Sequence, residues 1–298
     1  MNKGVFYSLV AYICWGFFPL FFSTLNQVPP FQVVSNRIVW SCLFYFVLAV
    51  FLHELPALRK LITKRVLLVY LIAGTLLAIN WLTFVWAVDA GFVVETSLGY
   101  FINPLVSVML GVVFLKERLR MTQWIPVGLA TIGVAYLTIS HGSLPWIALV
   151  LALTFGTYGL IKKIAPLEAV HGMLLESATI TIPALAYLVF EEFHGVGAFW
   201  HSGTATTSLL IFSGIVTAVP LLLFAYGTRR ISLTTVGLLQ YINPTIQFLT
   251  GVFLFGEPFT QNSLIGFGIV WLALIVFSIE AILNRKKSIP VSVFQPNQ

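Results

Sequence analysis

Apolar stretches long enough to cross a bilayer recur along almost the whole chain, and they constrain the fold more than any other feature. A membrane-crossing helix needs about 20 residues, because the hydrocarbon core is about 30 Å thick and a helix rises about 1.5 Å per residue. Only 9% of the residues are charged, against about 25% in soluble domains, so the chain could not cover its own surface in water. The short alternating segments of a transmembrane β-barrel are missing. The sequence therefore predicts an all-α integral membrane protein.

We predict ten transmembrane helices. Their ranges are 4–25, 31–52, 67–88, 92–115, 122–140, 145–161, 169–190, 207–228, 231–255 and 262–283. The first stretch is too long and too aromatic for a signal-peptide core, so it is expected to remain as a span. The polar residues 284–298 are expected to form a disordered cytoplasmic tail. Cys14 and Cys42 lie inside apolar stretches, which indicates packing residues and neither a metal site nor a disulfide.

The basic side chains lie on one side of the predicted spans. Of the sixteen Lys and Arg residues, all but Arg37 fall in loops or termini on that side, and Arg37 lies inside span two. Cytoplasmic loops are enriched in Lys and Arg, so this pattern predicts a multi-pass protein of the cytoplasmic (inner) membrane with both termini in the cytoplasm. The basic clusters then act as topology signals, and no nucleic-acid partner is expected.

One motif occurs twice, in YFINPLV and YINPTIQ, at Asn103-Pro104 and Asn243-Pro244. We call the separation between Asn103 and Asn243 the repeat offset. The same offset aligns further residues along the chain: Gly16 with Gly156, Phe84 with Phe224, Gly111 with Gly251, Glu117 with Glu257, and Gly128 with Gly268. Each half holds five predicted spans, and an odd number turns the second half upside down. Inverted repeats are a frequent plan of secondary transporters.

The two copies also differ in charge as an inverted repeat requires. KERLR follows span four on the basic side, whereas its counterpart GEPFT follows span nine and carries no cation. We therefore predict a first repeat over residues 1–140 and a second, inverted repeat over residues 141–283.

The repeated Asn-Pro pair places polar groups near the middle of spans four and nine. Proline has no backbone N–H, so the carbonyls of Tyr100 and Gln240 lose their helical partners. Unsatisfied polar groups cost several kcal/mol each in lipid. Either the motif only kinks the helix and bonds to a neighbouring backbone, or the groups line a central cavity. Their presence in both halves favours the cavity. The predicted cavity residues are Asn103, Asn243, Tyr100, Gln240, Tyr241, Trp15, Asn80, Trp81 and Tyr158.

Three further charged residues fall within predicted spans. Arg37 could extend to the nearer headgroups or face a cavity. Glu176 is too short to reach the surface, so it is expected to be protonated, paired or facing water. The two could pair across the cavity, or each could serve its own gate. Glu95 either stabilises the first turn of its helix or belongs to an outer gate. We assign all three to gating or coupling.

Signals of an enzyme are poor. The sequence has no P-loop, no histidine pair at metal-ligand spacing and no nucleophile elbow. We expect no enzymatic activity, no metal and no cofactor.

The chain resembles the drug/metabolite transporter superfamily, its EamA domain family and, within that, the RarD-type branch. The resemblance rests on CWGFFPLFF, NRIVWS, SLGYFINPLV, FLKERLRMTQW, FGTYGLIKK, GMLLES and LLQYINPTIQF, and it covers all but the polar C-terminal tail. It implies ten spans around a central cavity walled by spans one, three, four, six, eight and nine. Spans two and seven would flank that cavity, so gating suits Arg37 and Glu176 better than contact with the substrate.

These observations lead to one expected function and two alternatives. The protein is expected to be a secondary active transporter that exports a small amphipathic or zwitterionic metabolite or drug by alternating access. Its expected partners are the small-molecule substrate, the lipid bilayer and, as coupling ion, protons. Spans five and ten are expected to lie away from the substrate, where they could form a homodimer contact. The alternatives are a lipid-linked carrier or flippase and a non-transporting regulatory membrane protein.

Overall fold

A computed structural model describes residues 2–90, 92–141, 146–256 and 261–283, and the predicted tail 284–298 lies outside them. The described residues form helices joined by short connections and include no strand. The helices are α1 (Lys3–Gly16), α2 (Phe18–Phe22), α3 (Pro30–Phe51), α4 (Leu55–Leu61), α5 (Lys64–Asp89), α6 (Val93–Phe114), α7 (Met121–His141), α8 (Trp146–Ile164), α9 (Ala169–Phe193), α10 (Thr204–Thr228), α11 (Leu233–Gln240), α12 (Ile242–Leu254) and α13 (Gln261–Leu283).

Seven helical stretches of the described chain are long and apolar enough to cross a membrane. They are Lys3–Leu25, Pro30–Phe51, Lys64–Ala87, Met121–Ile139, Trp146–Ile164, Ala169–Phe193 and Thr204–Thr228. Predicted spans four and ten correspond to shorter apolar stretches, Leu98–Phe114 and Leu264–Glu280. Predicted span nine is divided between α11 and α12.

Predicted spans one and nine are both interrupted near their middle. α1 ends at Gly16, and after Phe17 the chain continues as α2 and a 3-10 turn. α11 and α12 meet at Tyr241, shortly before Pro244. Proline alone does not explain the breaks, because α6 remains continuous across Pro104. The sequence therefore predicted where the helices lie but did not distinguish broken helices from continuous ones.

Two helices begin at a polar side chain that caps their first turn. The Asn2 side chain caps α1 by accepting a hydrogen bond from the Gly4 N–H at 2.8 Å. Ser232 caps α11 in the same way through the Thr235 N–H, at 3.1 Å. A short polar side chain before the first turn satisfies a backbone donor that has no partner within the helix.

The helices pack in a repeating arrangement. α3 lies against α9 and α10, α5 lies against α8 and α9, α6 lies against α8 and α11, and α1 lies against α10 and α12. α3 and α10 lie close together at Gly214 of α10, where an added Cβ atom would come within 2.4 Å of the Trp40 Cβ atom on α3. Glycine is thus required where these two helices touch.

Helices α7 and α13, which are predicted spans five and ten, pack on each other. An added Cβ at Gly133 would lie 3.1 Å from Val270, and one at Gly266 would lie 2.4 Å from Leu137. Gly128 and Gly268 have no other atom of the described chain within 4 Å of such a Cβ. Gly133 and Gly266 therefore lie where α7 and α13 approach closely, whereas Gly128 and Gly268 do not.

Candidate functional site

The two helix breaks meet at one amide side chain. Gln247 of α12 donates hydrogen bonds from Nε2 to the Asn243 side-chain oxygen at 3.0 Å and to the Trp15 carbonyl at 3.2 Å. Trp15 lies next to the end of α1, where a helix leaves carbonyls without internal partners. Gly16 lets α12 approach, since an added Cβ there would lie 2.6 Å from the Ile246 Cβ atom. Gln247 thus connects the Asn243 side chain to the end of α1.

The side chain of Asn103, in the first copy of the motif, is hydrogen-bonded differently from that of Asn243. Asn103 is 3% exposed, and its side-chain oxygen has no hydrogen-bond partner within the described residues. A buried polar atom without a partner costs about 1–3 kcal/mol. The Asn103 oxygen therefore remains available to a group that enters the interior.

The other polar side chains of the two motifs lie in different surroundings. Gln240 is 3% exposed. The Tyr241 ring is fully buried in an apolar cluster that also contains Phe101 and Leu238, and its hydroxyl has no partner within the described residues. Tyr100 is partly buried, with its ring centroid 5.7 Å from that of Phe84. The structure therefore does not place these predicted cavity residues on one shared surface.

Aromatic rings connect α1, α8 and α10 in the interior. The Trp15 ring centroid lies 5.7 Å from that of Phe155 and 5.5 Å from that of Phe224, and Tyr158 stacks on Phe224 at 6.0 Å. Trp15 and Tyr158 are therefore brought together through two phenylalanines that the sequence did not identify as site residues. For Phe224, the sequence did contain a signal, because Phe224 aligns with Phe84 at the repeat offset.

Asn80 and Trp81 are neighbours on α5 but serve different contacts. The Asn80 amide donates to the Leu151 carbonyl and the Thr154 hydroxyl of α8, both at 2.9 Å. This amide therefore holds α5 against α8. The Trp81 ring lies under the Arg37 guanidinium, with the guanidinium carbon 4.3 Å from the ring centroid.

Glu176 pairs with a cation that the sequence placed in a loop. The Lys162 Nζ lies 2.8 Å from Glu176 Oε2, and the two side chains are 3% and 1% exposed. The prediction that Lys162 follows span six is wrong, because α8 extends to Ile164 and takes Lys162 into the helix. Tyr70 and Tyr158 present their rings to the ammonium at 5.7 and 5.5 Å. Glu176 Oε1 has no partner within the described residues.

Arg37 lies in a separate aromatic pocket. Its Nε donates to the Thr217 hydroxyl at 3.1 Å, and its guanidinium carbon lies 5.0 Å from the Phe22 ring centroid and 5.8 Å from that of Phe18. Arg37 and Glu176 therefore do not pair with each other in the structure, and each has its own partners. The side chain of Glu95 lies outside what the structure describes.

A carboxylate joins α6 to α11 at one end of the molecule. Glu117 accepts hydrogen bonds from the Leu233 N–H at 2.6 Å, the Thr234 N–H at 2.9 Å and the Thr234 hydroxyl at 2.7 Å. We call this contact of Glu117 with Leu233 and Thr234 the carboxylate clasp. A carboxylate is favourable there because backbone N–H groups and the helix dipole converge at a helix start. The sequence had shown Glu117 only as an aligned position of the repeat.

The same end of the molecule is held by two cations. Lys163 donates to the Ile231 carbonyl at 2.6 Å, and Arg229 donates to the Ala165 carbonyl at 2.9 Å and to the Leu167 carbonyl. Together with the carboxylate clasp, these bonds join the ends of α6, α8 and α10 to the start of α11. This end of the molecule is therefore closed by charge-assisted hydrogen bonds, which are stronger than neutral ones.

Comparisons with known proteins agree with this architecture. The model of the EamA-like transporter family matches residues 2–139 and 144–279. The uncharacterized transporter YojE of Bacillus subtilis is 42% identical, over 96% of this chain and 97% of its own length. An uncharacterized transporter of Pseudomonas aeruginosa is 44% identical, over 94% and 95%. Protein RarD of Escherichia coli is 38% identical, over 96% and 97%.

One solved protein structure shares the fold at lower sequence similarity. It is 20% identical, superposes with a TM-score of 0.72, and the match covers 94% of this chain and 99% of that one. The family match spans almost all of both halves, and the relatives in Bacillus and Pseudomonas are matched nearly end to end. The chain therefore belongs to the EamA-like transporter family and is a multi-pass membrane protein.

Proposed function

We propose that the protein is a secondary active transporter that exports a small amphipathic or zwitterionic organic solute across the cytoplasmic membrane by alternating access. The observation that carries the proposal is the meeting of two broken helices at Gln247, with Asn243 and the Trp15 carbonyl as its partners. Broken membrane helices that expose backbone and amide groups near mid-depth are the usual substrate sites of such transporters. The outward direction rests on analogy with the family.

The packing of the helices supports the proposed plan of ten spans in two inverted repeats. If spans one to five are exchanged with spans six to ten, the contact of α1 with α10 becomes that of α8 with α5. In the same way, the contact of α3 with α10 becomes that of α9 with α5, and α6 with α8 becomes α12 with α1. All six contacts are present. A pattern that maps onto itself is expected of two halves related by a two-fold axis in the membrane plane.

The closed end of the molecule supports alternating access. The carboxylate clasp and the bonds of Lys163 and Arg229 seal the end that the basic residues assign to the cytoplasm. Opening this end requires α11 to leave the Glu117 carboxylate. We propose that this separation exposes the Asn103 and Asn243 level to the cytoplasm.

We further propose that protons drive transport through Glu176. Glu176 and Trp81 line one small cavity of about 10 Å³ between α3, α5, α9 and α10, and one oxygen of Glu176 has no partner within the described residues. Protonation of Glu176 would remove the charge that holds Lys162. The pair would then change its bonding as the carboxylate gains and loses a proton.

Flux from proteoliposomes tests the proposed function. The vesicles are loaded with a pool of amino acids, small metabolites and drugs, and release is followed with and without a pH gradient. We expect selective release by the wild type and its loss in Asn103→Ala/Asn243→Ala. The matched control is Asn26→Ala, which changes an exposed asparagine of a connecting segment and should leave release unchanged.

Two outcomes would contradict the proposal. If the wild type releases nothing selectively, a lipid-linked carrier or a regulatory role becomes the better assignment. If the double variant releases the same solutes at the wild-type rate, the Asn-Pro motifs are structural kinks and the substrate site lies elsewhere.

A further inference from the structure

Arg37 is a cation that has no counter-ion among the described residues, and it lies inside a helix of membrane-spanning length. The Thr217 hydroxyl is its hydrogen-bond partner, through Nε, and no carboxylate of the described residues lies within 4.0 Å of the guanidinium. A guanidinium has five N–H donors, so most of them remain unused. Charged side chains within membrane spans are expensive unless they are paired or face a water-filled cavity. The side chain is only partly buried, so part of it faces open space.

The Arg37 side chain does not extend toward the nearer end of its own helix. The Ser41 hydroxyl of α3 donates to the Gly214 carbonyl of α10 at 2.9 Å, and an equivalent bond recurs one turn later along each helix. The two helices therefore run in the same direction. Thr217 follows Gly214, whereas Arg37 precedes Ser41. The side chain thus runs toward the middle of α10, which excludes extension to the headgroups at the start of α3.

The repeat shows what the Arg37 pocket lacks. At the repeat offset, Phe22 aligns with Lys162 and Asn36 aligns with Glu176. The second half therefore contains a complete ion pair between α8 and α9. In the first half an amide occupies the place of the carboxylate, and Asn36 donates to the Gln32 carbonyl at 2.9 Å. The first half thus has a cation in the neighbouring position, and none of the described carboxylates pairs with it.

The chemistry of the pocket specifies a type of ligand. A planar guanidinium binds a carboxylate through two parallel hydrogen bonds. A single cation balances one negative charge, which fits a carboxylate better than a phosphate. The rings of Trp81, Phe22 and Phe18 surround the guanidinium and offer apolar surface to the rest of the ligand.

We propose that Arg37 binds the carboxylate of the transported solute, so that the substrate is a small organic acid or zwitterion with an apolar side group held against Trp81 and Phe22. This inference rests on the proposed transport function and adds the chemical class of the substrate. It also reverses the expectation that Arg37 acts only as a gate, because the missing anion of its pocket is supplied by the solute.

Binding of matched acids and amides tests the inference. The probes are 3-phenylpropionate, isobutyrate and leucine, each compared with its primary amide, and the measurement is thermal stabilisation of the purified protein across a concentration series. We expect the acids to bind the wild type at least about tenfold more tightly than the amides, since the carboxylate makes charge-assisted bonds. Arg37→Gln should lose this preference, and Arg37→Lys should keep part of it.

Two further variants separate binding from folding. Arg230→Gln removes an arginine that also lies over an aromatic ring, that of Tyr226 at 5.2 Å, but on the exposed end of α10, and it should keep the preference for acids. Thr217→Val keeps the Arg37 charge but removes its hydrogen bond, and it should weaken the binding of acids by a smaller factor than Arg37→Gln. If Arg37→Gln does not fold, the inference is tested by whether Arg37→Lys and Thr217→Val weaken the binding of the acids.

Three results would overturn the inference: acids and amides that bind the wild type equally, an Arg37→Gln protein that still prefers acids, or a wild type that none of the acids stabilises. These results concern binding in detergent and are independent of the flux measurement. A transporter that moves neutral solutes selectively through the Asn103 and Asn243 level would retain the proposed function and lose only this inference.

Discussion

Glu176 and Lys162 lose their hydration together, because their side chains are 1% and 3% exposed and 2.8 Å apart. Removing one partner of such a pair leaves an uncompensated buried charge and costs about 3–5 kcal/mol. Removing both can be nearly neutral. The pair is therefore a poor source of net stability, which fits a site that changes its bonding during function better than a purely structural one.

We predict that Glu176→Gln abolishes the stimulation of flux by a pH gradient while exchange of solute for solute continues. Glutamine has nearly the shape of glutamate, but its amide does not gain or lose a proton when the pH changes. The groups that face Glu176 are Lys162 and Tyr158 of α8, Tyr70 of α5 and Tyr45 of α3. Of these, Lys162 is an amine and the other three are phenols. The measurement is flux in proteoliposomes at several internal and external pH values.

The matched control for this prediction is Glu192→Gln. Glu192 is an exposed carboxylate that contacts His201 at 2.7 Å, and its loss should leave the response to pH unchanged. The double variant Lys162→Met/Glu176→Gln should recover the thermal stability that Glu176→Gln loses, because no buried charge remains unpaired. A Glu176→Gln protein with the wild-type dependence on pH and gradient would rule out coupling through this residue.

The sequence identified the charged residues within the spans but not their partners. Arg37 and Glu176 were recognised because charge is rare in apolar stretches. Lys162 was placed in a loop, because span six was predicted to end at residue 161, whereas α8 continues to Ile164. Thr217 is unremarkable in sequence, and it became relevant only when the packing of α3 on α10 placed it beside Arg37. Partners of buried charges follow from helix packing, which local patterns do not encode.

At the scale of helices, the two copies of the Asn-Pro motif differ in whether the helix around them is continuous. Asn103-Pro104 lies in the continuous α6, whereas Asn243-Pro244 follows the break between α11 and α12. Helices α6 and α11 pack on each other, and Gly237 of α11 lies so close that an added Cβ would be 2.6 Å from the Pro104 carbonyl. The helix ranges were predicted to within about one turn at most ends, but the breaks depend on such contacts between helices.

We predict that Glu117→Ala opens the end of the molecule that the carboxylate clasp holds. The substitution removes three hydrogen bonds between α6 and α11, and charged hydrogen bonds contribute about 1.5–3 kcal/mol each. The measurement uses Ser107→Cys, a 3% exposed position on α6 that faces Gly237, in a protein whose Cys14 and Cys42 are replaced by alanine. Labelling of this thiol by a membrane-impermeant reagent should become at least about tenfold faster in Glu117→Ala.

Glu168→Ala is the control for the carboxylate clasp, because Glu168 is an exposed carboxylate on the connection that leads into α9. It should leave labelling at Ser107→Cys unchanged. Equal labelling rates with and without Glu117 would mean that the clasp does not determine access between α6 and α11, and the bonds of Lys163 and Arg229 would then have to hold this end alone.

At the scale of the whole molecule, the repeat offset relates contacts as well as residues. The exchange of the two proposed halves maps the packing of α1 on α10 onto that of α8 on α5, and it maps the packing of α7 on α13 onto itself. The sequence could suggest this plan because the repeat was still visible in Asn-Pro, Gly and Glu positions. It could not show that the charged pocket of one half has no anion among the described residues, since that difference needs the positions of both pockets.

The proposed inverted repeat predicts a labelling pattern that a parallel repeat would not give. Ile62 and Ser202 are equivalent at the repeat offset, and both are exposed on connecting segments. An odd number of spans per half places equivalent positions on opposite faces of the membrane. In a protein without Cys14 and Cys42, an impermeant maleimide should label Ser202→Cys in intact cells and should label Ile62→Cys only in inverted vesicles. Both thiols should react fully in detergent, which shows that neither is shielded by the protein.

If both positions react in intact cells, or both only in inverted vesicles, the halves have the same orientation. The Arg37 pocket and the Lys162–Glu176 pair would then no longer be inverted equivalents, and alternating access could not be derived from an exchange of the two halves.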